Sequence, residues 1–253
     1  MRQQMPFGES VRRASELNRT RTVLALDLED KDRSALIKRC EKLLREVGDQ
    51  ICAVKINRQL VLALGLTDGV DLIVDSAHSL SLPTIIDAKL NDVAHTNVSM
   101  TRAYLECGFD AIIASPIVGW EEGLDSVFEL MNNAQKSIIL LVYMSNPGSE
   151  NFYSLMVGDA KTRIFERFAE LAVRWKAHGV IVGATKLDVI SRVREVVGDE
   201  IQIYCPGVGV QGGDGKRAIK AGANYIIVGR SIYSSPNPSK SAREIRFMTT
   251  GQR

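Results

Sequence analysis

PTIIDAKLNDVAHTNVSMTRAYLECG, residues 83–108, carries in one stretch the unit from which the whole chain is written. It opens with a short β-rich apolar run and continues into a helix-like stretch closed by a glycine. Seven further runs of the first kind occur: TVLALDL from residue 22, ICAVKI from 51, DAIIASP from 110, SIILLVY from 137, GVIVGAT from 179, IQIYCP from 201 and NYIIVGR from 224. They are nearly continuous in apolar residues, as expected of parallel strands covered on both faces. Helix-like stretches separate them. In SALIKRCEKLLREVG, Leu36, Ile37, Cys40, Leu43 and Leu44 follow helical spacing and Gly48 is the expected C-cap. TRIFERFAELAVRWKAHG, DVISRVREVVG and GKRAIKAG likewise each end at a glycine before the next apolar run.

Strand and helix therefore alternate eight times. The turn after the first strand lacks the G-x-G-x-x-G of a doubly wound sheet, and the eight units fill the chain, so the expected fold is a single-domain (β/α)8 barrel of the α/β class. The length of 253 residues, with 45% apolar and 25% charged residues, suits one well-cored unit of that kind. The expected division is an N-terminal extension over residues 1–21 and the barrel over 22–253. The extension holds Arg2, Arg12, Arg13, Arg19 and Arg21 but also Glu9 and Glu16, and this acid content argues against a transit peptide.

Composition narrows the function classes. Lysine and arginine total 32 against 30 acids, a net charge of +2, which supplies no electrostatic argument for nucleic acid or an anionic membrane. No apolar run approaches the roughly 18–20 residues of a membrane span. Cys40, Cys52, Cys107 and Cys205 are scattered without a C-x-x-C pair, which fits a reducing cytoplasm. His78, His95 and His178 have no metal-ligand spacing; the expectation is a solvated helix face for His78, a structural role near the lysine motif for His95 and a helix terminus for His178.

Barrel enzymes carry their chemistry at the C-terminal ends of the strands. That rule selects Asp27 after strand one, Lys55 on strand two, Asp87 and Lys89 on strand three, Ser145 after strand five, Pro206 on strand seven, and Gly229 with Arg230 after strand eight. Charges on apolar strands are costly unless paired, so Asp27, Lys55, Asp87 and Lys89 are expected to share one cluster. Asp87 and Lys89 are two apart, which places both on one face of a strand. Flanking carboxylates suit Lys89 to donate a proton to a developing carbanion and argue against a Schiff base. Asp92 lies beyond the strand, where it is either part of this cluster or a cap on a helix starting near Val93. PGVGVQGGD at 206–214 and VGRS at 228–231 stand after strands seven and eight, the common phosphate site of such barrels, and point to a phosphorylated small molecule.

LALDLED, AVKI, IIDAKLNDVAHTN, MSNPG, PGVGVQGGD and IIVGRSIY, in that order from residue 22 to about 240, closely resemble the orotidine 5′-phosphate decarboxylase family in its compact archaeal form. The resemblance implies a homodimer that converts orotidine 5′-monophosphate to uridine 5′-monophosphate with neither metal nor organic cofactor, the last step of pyrimidine nucleotide synthesis. It implies that Lys89 protonates C6 of the pyrimidine, that Asp87 lies beside the departing carboxylate, and that Lys55 and Asp27 complete the charge network and bind the ribose. It further implies that Asp92, with Thr96 nearby, reaches the neighbouring subunit's site. Ser145 would bind the pyrimidine edge, Gln211 would bridge base and phosphate, Pro206 would line the substrate site, and Gly229 with Arg230 would hold the phosphate.

Three positions depart from the family pattern: Asn57 and Gln59, where Gly and Pro are frequent, and Asn146, where His is common. Two other readings compete. Sugar-phosphate barrels of the sister branch share the D-x-K-x-x-D element but use Mg²⁺ and carry Glu where this chain has Lys55, a cation that opposes a divalent metal. A nucleotide-phosphate binder without turnover would have no need of costly charges at the barrel mouth.

Overall fold

The structure, a computed structural model, describes residues 5–158 and 161–250. Residues 1–4 and 251–253, the outer ends of the expected extension and barrel, lie outside the described residues. The eight apolar runs form eight parallel strands: β1 (Thr22–Leu26), β2 (Ala53–Asn57), β3 (Thr84–Leu90), β4 (Ala111–Ala114), β5 (Ser137–Tyr143), β6 (Gly179–Val182), β7 (Gln202–Pro206) and β8 (Tyr225–Val228). Each pairs with its neighbours in sequence, and β8 closes on β1 through Thr22 opposite Ile226, giving the (β/α)8 barrel. Nearly every strand residue is buried, because one face fills the barrel and the other lies under helices.

The helices follow from their apolar stripes. In α2 (Arg33–Val47), Leu36, Cys40, Leu43, Leu44 and Val47 are buried, and Asp32 caps the first turn by accepting from the Ala35 N–H at 2.9 Å. Each leucine so buried contributes about 2 kcal/mol of apolar transfer free energy. The remaining outer helices include α3 (Arg58–Leu64), α4 (Asp71–Ser79), α5 (Ala94–Glu106), α6 (Asp125–Asn133), a short α7 (Glu150–Tyr153), α8 (Ile164–Arg174), α9 (Leu187–Val197), α10 (Gly215–Lys220), α11 (Arg230–Tyr233) and α12 (Pro238–Thr250). No helix among the described residues is long and apolar enough to cross a membrane.

Two glycines do different work from that expected. Gly48 follows α2 in right-handed conformation and leads into a further helical turn, so it is no left-handed cap. The glycine closing TRIFERFAELAVRWKAHG does not end a helix at all: α8 stops at Arg174 and Gly179 is the first residue of β6. A Cβ there would stand 2.8 Å from the Tyr204 ring, so this glycine makes room for an aromatic inside the barrel. His178 accordingly sits before a strand, its Nδ1 accepting from the Ile138 N–H at 3.3 Å.

Within residues 1–21, Phe7–Leu17 form helix α1, which lies across the N-terminal end of the barrel. Phe7, Val11 and Ala14 are buried, and the Phe7 ring meets Tyr204 at 6.5 Å between centroids. Asn18 Nδ2 fixes the turn after α1 by donating to the carbonyls of Gly48 and Ile51.

The same end of the barrel holds a charge cluster centred on Asp110, just before β4. Its carboxylate accepts from Lys136 Nζ at 2.7 Å, from the Thr84 N–H at 2.8 Å and from the Thr84 hydroxyl at 3.1 Å, and it bonds His78 Nε2 at 2.8 Å. His78 is exposed on the last turn of α4, as expected of a solvated helix face, and in addition ties that helix to the strand ends through Asp110. Burial pushes the Asp110 carboxyl up, but His78, Lys136 and their hydrogen bonds more than offset this and bring it to about 2.

Candidate active site

At the opposite end, all eight strands contribute to one cavity of about 890 Å³, including its open mouth. Its floor is apolar, made by Ile113, Leu141, Ile181 and Ile227 from β4, β5, β6 and β8. The charges stand on one wall. Asp27 follows β1, Lys55 and Asn57 close β2, and Asp87 and Lys89 lie on β3.

The geometry is an alternating chain of charges. Lys55 Nζ donates to Asp87 Oδ2 at 3.0 Å, and Lys89 Nζ donates to Asp87 Oδ1 at 2.6 Å, so one carboxylate holds two ammonium groups. Burial pushes the Asp87 carboxyl up, but the two lysine charges and their hydrogen bonds more than offset it, and the carboxyl ends below its ordinary range. Asp27 goes the other way. Desolvation raises it, Lys55 lowers it, Asp87 raises it, and the balance stays above the ordinary value. No direct ion pair joins Asp27 to Lys55. Instead Lys55 Nζ donates to Asn57 Oδ1 at 2.6 Å while Asn57 Nδ2 donates to Asp27 Oδ1 at 2.5 Å.

The expected sharing of one face by Asp87 and Lys89 holds by an unexpected route. Lys89 has φ +46°, a left-handed conformation uncommon for a side-chain-bearing residue, and the β3–β4 register shifts between Ile86 and Leu90. Strict alternation is therefore broken at this lysine, which is strained by roughly 1–3 kcal/mol. Its ammonium is nonetheless held on Asp87.

The wall across from these charges is the glycine loop after β7 with the start of α11. Pro206, Gln211, Gly229 and Arg230 line the cavity there, with Ser145 from the loop after β5. Gly209 has φ +83°, and a Cβ on it would meet Ser231 Oγ at 2.2 Å, so only glycine lets this loop pack against the α11 turn. The arrangement can hold an anionic group beside Arg230 and a polar ring over the apolar floor, with its reacting atom at Lys89.

Nine of the expected residues thus surround one cavity: Asp27, Lys55, Asp87, Lys89, Ser145, Pro206, Gln211, Gly229 and Arg230. Asp92 and Thr96 do not line it. Asp92 is exposed beyond β3, and its carboxylate accepts from the Val93 N–H at 2.7 Å; α5 starts at Ala94 with Val93 at its N-cap position, so Asp92 is not that helix's cap. The Thr96 hydroxyl bonds His95 Nε2 at 3.3 Å. Asp92 borders a second cleft shared with Lys89, Met100, Ile117 and Phe152. Sequence reasoning did not select Asn57, Ser231 or Tyr233 for the site, although all three line the main cavity. Ser231 follows Arg230 directly, Tyr233 lies on the same short turn of helix, and Asn57 is two residues from Lys55, spacings that could have found them.

A family model described as orotidine 5′-phosphate decarboxylase / HUMPS family matches residues 20–245. An orotidine 5′-phosphate decarboxylase of Pyrococcus abyssi is 38% identical over 223 residues, covering 88% of this chain and 96% of its own. One from Thermococcus kodakarensis is 36% identical over 229 residues, covering 90% and 96%. Among solved structures, orotidine 5′-phosphate decarboxylase from Pyrococcus horikoshii superposes with a TM-score of 0.72 at 35% identity, covering 91% of this chain and 100% of that one. The enzyme from Methanocaldococcus jannaschii, complexed with the inhibitor BMP, gives 0.76 at 28% identity, covering 91% and 98%. With a family match spanning all eight strands and relatives covered over nearly their full length, this chain belongs to the orotidine 5′-phosphate decarboxylase / HUMPS family.

Proposed function

We propose that this chain decarboxylates orotidine 5′-monophosphate to uridine 5′-monophosphate, completing pyrimidine nucleotide synthesis in the cytoplasm with neither metal nor organic cofactor. The observation that carries this reading is the pair of ammonium groups, Lys55 and Lys89, held on the single carboxylate of Asp87 at the mouth of an apolar barrel. The family also includes sugar-phosphate barrels, and Lys55 separates the two branches: its ammonium stands 3.0 Å from Asp87, where a divalent ion would meet a like charge.

In the proposed reaction the bond between C6 of the pyrimidine and its carboxylate carbon breaks, carbon dioxide leaves, and the electron pair stays on C6. Lys89 Nζ stabilises that carbanion by its charge and then transfers a proton to it. Asp87 orients both lysines and lies beside the leaving carboxylate. Asp27 and Lys55 bind the ribose hydroxyls, Ser145 the pyrimidine edge, and Gln211 both base and phosphate, while Pro206 lines the site. Gly229 and Arg230 hold the phosphate, whose binding drives loop closure and so contributes to the chemistry from a distance.

The active form in this reading is a homodimer, with Asp92 and Thr96 contributed to the partner's site. Support comes from their position outside the chain's own cavity and from exposed apolar side chains nearby, Leu62, Val93 and Ile117. The deciding experiment follows the loss of orotate ultraviolet absorbance from orotidine 5′-monophosphate in the presence of a chelator, with Lys89→Ala alongside. Rapid loss with the natural protein and none with the variant is expected. No loss with the folded natural protein would move the chain to the sugar-phosphate branch, retested with Mg²⁺, or to a binder without turnover.

A further inference from the structure

Asn57 does something that neither charge beside it can do alone. Among the described residues its carboxamide is the sole hydrogen-bonded bridge between Asp27 and Lys55, accepting from the cation and donating to the anion. β2 has Asn57 opposite Asp87 on β3, and the register that pairs Leu26 with Ile56 brings Asp27 alongside Asn57 on the other flank. An amide in that place keeps two opposite charges from collapsing onto each other. It leaves Lys55 on Asp87, and it occupies only Oδ1 of Asp27, whose second oxygen has no hydrogen-bond partner among the described residues. The second hydrogen of Asn57 Nδ2 is likewise without a partner among the described residues, and the side chain lines the cavity.

We propose that Asn57 is a positioning residue that sets how tightly the site holds the ribose hydroxyls, by fixing the orientation of Asp27 against Lys55. The inference rests on the nucleotide reading above and extends it to a residue that lines the same cavity. Asp27 is also faced by Asp87, Lys89 and Tyr233, so the amide acts within a crowded electrostatic setting. Replacing only its NH₂ by oxygen, as in Asn57→Asp, keeps the shape and the acceptor for Lys55 while setting a carboxylate against Asp27.

The test is calorimetric binding of uridine 5′-monophosphate and of 2′,3′-dideoxyuridine 5′-monophosphate to the natural protein, to Asn57→Asp and to Asn57→Ala. Thermal melts show which variants fold. The expected result is about tenfold weaker binding of the ribonucleotide by Asn57→Asp, less than twofold change for the dideoxynucleotide, and an intermediate loss for Asn57→Ala. In turnover the same variants should raise KM for orotidine 5′-monophosphate more than they lower kcat. Equal losses on both nucleotides, or no loss on either, overturn the proposal while leaving the nucleotide reading standing. A natural protein that binds neither nucleotide overturns both.

Discussion

Two clusters of charge stand at the two ends of the same barrel, and they are built to opposite standards. At the N-terminal end, Asp110 is bonded by Lys136, His78 and both polar groups of Thr84, and its carboxyl is drawn down to about 2. At the C-terminal end, Asp27 keeps a free oxygen and a raised carboxyl, and Lys89 is held at φ +46°. The first cluster satisfies its central carboxylate from within the protein, whereas the second leaves one oxygen of Asp27 without a hydrogen-bond partner among the described residues. In a (β/α)8 barrel this is the division between the end that keeps the fold and the end that does the chemistry.

The contrast can be broken by mutation. Lys89→Gly should cut decarboxylation about a thousandfold, the middle of the range for a removed general acid, while the melting temperature holds or rises because glycine accepts the left-handed backbone. Initial rates and melts on one preparation check both halves. Asp110→Asn should show the reverse, losing about 3 kcal/mol of stability because Lys136 is left nearly buried without its counter-ion, with kcat changed less than about twofold. In a chain of this size that is a fall of roughly 6–12 °C in Tm. Arg230→Ala should lower kcat/KM by about 30-fold, or roughly 2 kcal/mol, on the nucleotide and leave the phosphate-free nucleoside almost unaffected. Equal loss on both substrates would remove Arg230 from the phosphate site.

The finest test is of sign against pH. Asp110 has a depressed folded value, so its contribution is full above the unfolded value near 3.8 and is lost as pH falls toward about 2, about 2 kcal/mol in all. Asp27 has a raised folded value, so its contribution is full below the unfolded value and declines as pH rises through the folded one. Urea melts from pH 2 to 6 should therefore show acid destabilisation that is smaller in Asp110→Asn, with the part due to Asp87 remaining. Asp27→Asn should instead gain stability at neutral pH relative to acid. Parallel curves for the two variants would dissolve the distinction between the two ends.

How much of this was legible beforehand follows from the range of each interaction. The eight strands were readable because burial on both faces demands unbroken apolar runs, and Asp27, Lys55, Asp87 and Lys89 stood out as charges within or at the ends of those runs. Gly179 was misread because a glycine's reason can lie across the barrel, here in the ring of Tyr204. His78 is exposed as its helix pattern indicates, but its bond to Asp110 was not legible, because only the packing of α4 against the barrel brings the two together. Asn57 registered in the sequence as a departure without a role, since its bridge depends on the β1–β2 register, which no local pattern encodes. The left-handed Lys89 was invisible for the same reason: alternation is a rule of regular strands, and β3 slips against β4 just there.

Helix α1 docks by Phe7 on Tyr204, a residue of the seventh strand. During synthesis on the ribosome the first helix therefore emerges with its apolar stripe bare and gains that partner only when most of the chain has followed, shortly before β8 closes on β1. Closure of the barrel and seating of its first helix are thus late events of translation, and the mouth cluster, assembled from β1, β2 and β3, is drawn together early by comparison.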